Sequence, residues 1–129
     1  MLVVDASAAL SIASSGADSG VRNGPMVAPP LLWSEVTSFV NRAAWRGDVA
    51  RPVASDLLQK FLLLPIERRI PHDLYPVATE IATALGWAKT YDAEYVALAR
   101  IEGCRLLTAD GRLKRGAGHL VEIIGPTER

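Results

Sequence analysis

Four carboxylates stand where carboxylates are expensive: Asp5 in MLVVDASAAL, Glu35 in LLWSEV, Asp92 in TYDAEYVALA and Asp110 in LLTADGRL. Each interrupts or abuts an apolar run, where an unpaired charge is costly to bury. Gathered in one cleft without matching cations they would repel, and burial would sharpen the repulsion. A hard divalent cation such as Mg²⁺ or Mn²⁺ resolves both problems, because it prefers oxygen ligands. One or two such ions can activate water and neutralise the charge that develops on a phosphodiester. Taken singly, each acid has a plainer explanation. Asp5 and Asp92 could be helix caps, Glu35 a first-turn residue favoured by the helix dipole, and Asp110 the opening of an Asx-turn into Gly111. Four independent caps need not fall in this order among these neighbours, and capping is compatible with metal binding.

Those acids need elements to hold them. LVV at 2–4 is a short apolar run of the buried-strand kind, and DASAALSIASS reads as a helix entered through Asp5 or Ser7. SSGADSG and RNGP are loop punctuation, and MVAPP is a short strand stopped by prolines. The spacing predicts a helix over 31–46, with Pro30 suited to its first turn and Gly47 just past its end. Further helices are expected over 52–64, closed by Pro65, over 74–85, and over 92–102 before Gly103. IERRI reads as an edge strand whose alternation leaves charges on one face, and RLLTA and LVEII as two more strands. Strands alternating with helices imply an α/β sandwich with a mostly parallel sheet, in which ligands bind beyond the carboxyl ends of the strands. Asp5 and Asp110 both lie where strands run out at that end.

Helix arithmetic adds detail. At about 100° per residue, Asp92 aligns with Tyr95, Val96 and Ala99, at the amino-terminal end of a packed stripe. Glu94 lies about 200° round and cannot easily join the same ion. Glu35 shares its face with Ser38, Phe39, Arg42 and Arg46, at the margin of an apolar stripe of Trp33, Val36, Val40 and Ala44. Arg42 is two turns on, roughly 10 Å along the axis. That is too far for a simple pair with Glu35 and reasonable for holding a phosphate of a long substrate.

In this order, MLVVDASAAL, the Glu35 helix, YDAEYVALAR and LLTADGRLKR resemble the PIN-domain family, and within it the VapC toxins of bacterial and archaeal toxin–antitoxin pairs. The resemblance covers essentially the whole chain, residues 1–129, as a single domain. It implies a PIN-like α/β/α fold and a Mg²⁺- or Mn²⁺-dependent endoribonuclease whose catalytic and metal-binding acids are Asp5, Glu35, Asp92 and Asp110. Ser7 and Thr108 would be hydroxyl neighbours that orient the ligands. The family often carries asparagine three residues after the helical glutamate; here that position is Ser38, whose hydroxyl can still hydrogen-bond. The resemblance further implies a homodimer and a cognate VapB-like antitoxin that occludes the site. RNA phosphates would be held by some of Arg42, Arg46, Arg112, Lys114 and Arg115.

Composition narrows the alternatives. At 129 residues, half of them apolar, the chain can bury one ordinary core and is not disordered. Formal net charge is zero, which argues against a protein held on nucleic acid by a bulk positive field but not against one locally basic cleft. Aromatics are sparse and scattered, so Trp33, Trp45 and Trp87 read as packing or interface residues. FLLLPI is far too short for a membrane span, and MLVVDAS lacks the features of a signal peptide. The single Cys104, read as a small buried side chain, excludes an internal disulfide and fits a cytoplasmic protein. His72 and His119 are isolated, with no partner at metal-ligand spacing. An aspartyl phosphatase of the haloacid-dehalogenase type would want a second aspartate two residues after the first, and that position holds Ser7. A receiver-type phosphorylation module would need an adjacent acidic pair after the first strand, which is absent. A catalytically silent PIN-like binding module is the alternative of a different class; it has no need to bear the repulsion of four acids.

Overall fold

The computed structural model describes residues 1–15 and 24–126. Its strands are β1 (Leu2–Val4), β2 (Met26–Ala28), β3 (Ile66–Arg68), β4 (Arg105–Leu107) and β5 (Ile123–Ile124). Its helices are α1 (Ala6–Ser15), α2 (Leu31–Trp45), α3 (Arg51–Leu62), α4 (Leu74–Leu85), α5 (Tyr91–Glu102) and α6 (Gly111–Ala117). All four strand pairings are parallel, in the order β3-β2-β1-β4-β5. The expected α/β sandwich with a parallel sheet is what forms. Most of the loop expected in SSGADSG and RNGP lies outside the described residues.

The chain winds outward from β1 in one direction through β2 to β3, then crosses back to β4 and β5. Strand order therefore reverses between β1 and β4, and a crevice opens at their carboxyl ends. Both strands read as unbroken apolar runs because helices cover both faces of the sheet. Leu2, Val3, Val4, Leu106 and Leu107 are all buried. Helices α1, α2 and α3 pack on one another, while α4 packs on α5 and α5 lies on β1 and β4. From Ala93 to Ala99 every residue of α5 is buried, which small side chains at 93, 97 and 99 permit. A stretch buried on every side makes the middle of α5 a core element.

Several boundaries differ from the pattern-based ones. The second strand pair is short: only Ile123 and Ile124 of LVEII join the ladder. Helix α3 starts one residue early, at Arg51, with Pro52 in its first turn. The basic run after Asp110, for which the pattern names no element, forms α6 with Asp110 as its cap. At the sheet edge, Arg69 pairs with Glu67 and Glu102 at 3.3 and 2.9 Å and ties β3 to the end of α5.

Gly103 ends α5 at φ 64° and feeds β4, and its N–H reaches the Arg100 carbonyl at 3.2 Å. A side chain there would strain the left-handed backbone. Gly103→Ala is expected to lower unfolding free energy by about 1 kcal/mol. Urea denaturation should show a lower midpoint at an unchanged slope.

Candidate active site

Asp5 follows β1 directly and begins α1. Its Oδ1 accepts the Ala8 N–H at 2.9 Å and the Ser7 hydroxyl at 2.8 Å. Oδ2 accepts the Thr108 hydroxyl, across the strand-order reversal. The Asp5 backbone N–H donates to the Leu107 carbonyl at 3.3 Å, and the Thr108 N–H to the Ile124 carbonyl at 3.0 Å. Sheet pairing thus sets the two residues side by side. Ser7 Oγ also accepts the Ala109 N–H at 2.9 Å, and Thr108 Oγ1 accepts the Asp110 N–H at 3.0 Å. Each hydroxyl has one proton, and each gives it to Asp5. The 3.3 Å approach of Ser7 Oγ to Thr108 Oγ1 is therefore a contact with no proton left to share.

The other acids converge on this corner electrostatically. Glu35 lies in the second turn of α2, beyond the first-turn position a dipole argument would need, and its Oε1 accepts the Tyr95 hydroxyl from α5. Asp92 is in the first turn of α5 and is not its cap, which is Thr90. Asp110 is the cap of α6, accepting the Arg112 N–H at 2.9 Å. Burial raises Asp5 above the usual carboxylate range and outweighs its three hydrogen bonds; the charge of Asp92 adds to the rise. Burial also raises Glu35, with Asp92 and Asp5 reinforcing it. Desolvation and then Asp110 raise Asp92, opposed by Arg112. Asp92 is thus the shared neighbour of the other three.

A groove of 540 Å³ runs beside these residues, its lining including Ser7, Leu10, Glu35, Ser38, Phe39 and Arg42. It brings Arg42 and Ser38 to the site. Arg112 stands 3.6 Å from Asp110 at the rim and is 87% exposed. Arg46 points elsewhere, into a pair with Asp48 at 3.1 Å. Lys114 and Arg115 lie in the last turn of α6.

Comparison with known proteins identifies the family. The PIN-domain profile matches residues 2–118. The chain belongs to the PIN-domain family. Its relatives include VapC ribonuclease Mb0985 of Mycobacterium bovis, 36% identical over 115 residues that span 88% of each chain. Ribonuclease VapC12 of Mycobacterium tuberculosis is 32% identical over 95% of this chain and 97% of its own. Among solved structures, PAE2754 from Pyrobaculum aerophilum superposes with a TM-score of 0.73 at 24% identity, over 96% of this chain and 87% of that one. VapBC2 from Rickettsia felis, bound to a promoter DNA fragment, gives 0.69 at 14% identity, over 96% and 97%. These two likenesses concern the fold.

The donor set of this PIN domain fits a hard divalent cation: oxygen ligands only, mutually repelling acids, and one arginine at the rim. Among the described residues no three acids converge into a ready-made coordination cage. Asp5 and Glu35 are instead drawn into hydrogen bonds with Ser7, Thr108 and Tyr95.

Two site residues were not singled out from the sequence. The helix arithmetic puts Tyr95 in a packing stripe; the residue is indeed 1% exposed, and its hydroxyl also steers Glu35. Burial, then the Glu35 bond, pushes its ionisation far above the usual tyrosine range. Its spacing of three from Asp92 was the available signal. Glu94 is 8% exposed, and burial followed by the charge of Glu35 raises it. The charge it feels is that of Glu35, itself a member of the acidic set.

These shifts have a stability consequence. In the unfolded chain such carboxyls ionise near pH ~4. Raised folded values mean that their contribution is fully present below that pH and is lost as pH rises through the folded values. The metal-free protein should therefore melt higher near pH 5 than at pH 7.5. Glu94→Gln should recover about 2–4 °C of the difference at pH 7.5 by calorimetry. A flat melting temperature across that range would contradict the assigned strain.

Proposed function

We propose that this PIN domain is a Mg²⁺- or Mn²⁺-dependent endoribonuclease and the toxin of a type II toxin–antitoxin pair. The observation that carries the proposal is the set of Asp5, Glu35, Asp92 and Asp110, coupled electrostatically at the strand-order reversal with no buried cation among the described residues to balance them. The ribonuclease names of relatives at 32–36% identity over nearly the whole chain support RNA as the substrate. A cognate VapB-like antitoxin and a homodimeric assembly belong to the same proposal.

The four acids would hold one or two ions. When bound, the ion supplies Lewis acidity toward the phosphoryl oxygens and lowers the pKa of water. The remaining work falls to the chain. Three donors fix the carboxylate plane of Asp5, so little ordering is left when the substrate arrives. Through Thr108, the loop carrying Asp110 is referenced to the same carboxylate. Tyr95 fixes the rotamer of Glu35. Arg42, on the wall of the groove, and Arg112, at the rim, would take phosphates on either side of the acids. Arg46, Lys114 and Arg115 would contribute longer-range attraction.

The decisive experiment is cleavage of a panel of RNAs with and without Mg²⁺ or Mn²⁺, with Asp5→Asn and Asp110→Asn purified alongside. Cutting should need the metal and disappear in both variants. Cutting that survives both would mean a contaminant, and the four-acid site would be abandoned. Absence of cutting by folded wild-type protein that also fails to bind Mn²⁺ would instead favour the silent PIN-like module. Tyr95→Phe removes the hydroxyl that steers Glu35 while keeping the ring. It should lower activity or Mn²⁺ affinity by about 10–100-fold, as loss of a ligand-orienting contact does. Melting curves would verify that the core is intact.

A further inference from the structure

The face of α2 next to the acidic corner carries a second groove, 450 Å³ in volume and lined by Trp33, Ser34, Thr37, Ser38 and Asn41. Ser38 lines both grooves, so the second continues the first around one helix. Trp33 is held from behind by Phe61, a fully buried ring 6.4 Å away at 53°. Over the indole lies the Arg68 guanidinium, its carbon 4.9 Å from the ring centroid. Arg68 is exposed at the end of edge strand β3 and has no ion pair among the described residues; neighbouring Glu67 is taken by Arg69.

The polar atoms around this stack are of both kinds. Thr37 gives its proton to the Trp33 carbonyl at 2.7 Å and keeps its acceptor lone pairs. Asn41 Oδ1 accepts from Arg51 at 2.8 Å, leaving its amide N–H groups to donate. Ser34 and Ser38 have no hydrogen-bond partner among the described residues. An aromatic ring topped by a guanidinium is a surface on which an unpaired base stacks, and nearby donors and acceptors can meet the base edge or a ribose hydroxyl.

We propose that the Trp33–Arg68 stack and the α2 face of Ser34, Thr37 and Asn41 form a subsite for one unpaired nucleotide of the RNA, outside the scissile position, and set sequence preference there. This rests on the ribonuclease reading above. The base would lie against the Arg68 guanidinium, while its strand continues past Ser38 toward Glu35.

The test uses a random single-stranded oligoribonucleotide pool and two measurements. In cleavage assays with Mg²⁺ or Mn²⁺, Arg68→Glu and Trp33→Leu should each raise KM about 10-fold while leaving kcat within about 2-fold. Trp33→Phe should retain most of the affinity, and the exposed Arg68 variant guards against a folding defect at Trp33. In the Trp45→Phe/Trp87→Phe chain, Trp33 fluorescence should be quenched by the same RNA in EDTA, and Arg68→Glu should abolish the quench. Unchanged KM in both variants of a cleaving protein would overturn the subsite and leave the nuclease intact. RNA binding by anisotropy without a quench would overturn it too, and would leave the groove to a protein partner. Failure of every form to cut RNA would count against the nuclease reading, whereas the EDTA titration reports on the subsite without turnover.

Discussion

A carboxylate buried at the end of a central parallel strand needs donors, and its own strand cannot supply them all. Asp5 meets this need with Ala8 and Ser7 from its own helix and with Thr108, which is 103 residues away in sequence. Only the pairing of β1 with β4 brings Thr108 there. The acidic corner is therefore a product of the sheet register: a slip of one residue would turn Thr108 to the other face and leave Asp5 short of a donor. Long-range pairing, helix capping and the candidate chemistry all pass through one side chain.

The cost of the arrangement is electrostatic. Desolvation is the largest cause of the upward shift at Asp5, Glu35, Asp92 and Glu94, and other carboxylates add to it in every case. Clusters of this kind are held against the preference of the isolated fold, and acids shifted by both desolvation and a specific charged neighbour are candidates for a functional site. The surrounding core offsets the strain. Helix α5 carries Asp92, Glu94 and Tyr95 in its first turns and is buried from Ala93 to Ala99, so Glu94 is held in the interior while Asp92 stands at the exposed start of the helix.

Much of this was legible in the sequence because apolar periodicity and turn chemistry agree locally. Helices α4 and α2 begin where the pattern puts them, and the buried strands announce themselves as LVV and RLL. What local patterns miss are effects that need the third dimension. Strand β5 stops at two residues because only Ile123 and Ile124 reach the partner backbone. Helix α6 is too short and too charged to declare itself, and depends on the Asp110 cap. The four candidate acids were visible as charges out of place in apolar runs. Tyr95 was not, since a tyrosine in an apolar stripe carries no sign that its hydroxyl meets a glutamate from another helix. The Arg68–Trp33 stack joins an edge strand to α2, and no spacing along the chain encodes it.

The cap at Asp110 also governs how this corner can be probed. One carboxylate oxygen of Asp110 already serves the Arg112 N–H, so the residue holds the start of α6 as well as standing in the acidic set. Asparagine caps a helix about as well as aspartate, whereas alanine at such a position forfeits about 1 kcal/mol. Alanine scanning would therefore confound lost chemistry with a frayed helix and a displaced Arg112. At Asp110 the charge and the local architecture can be separated only by substitutions that keep an acceptor in place.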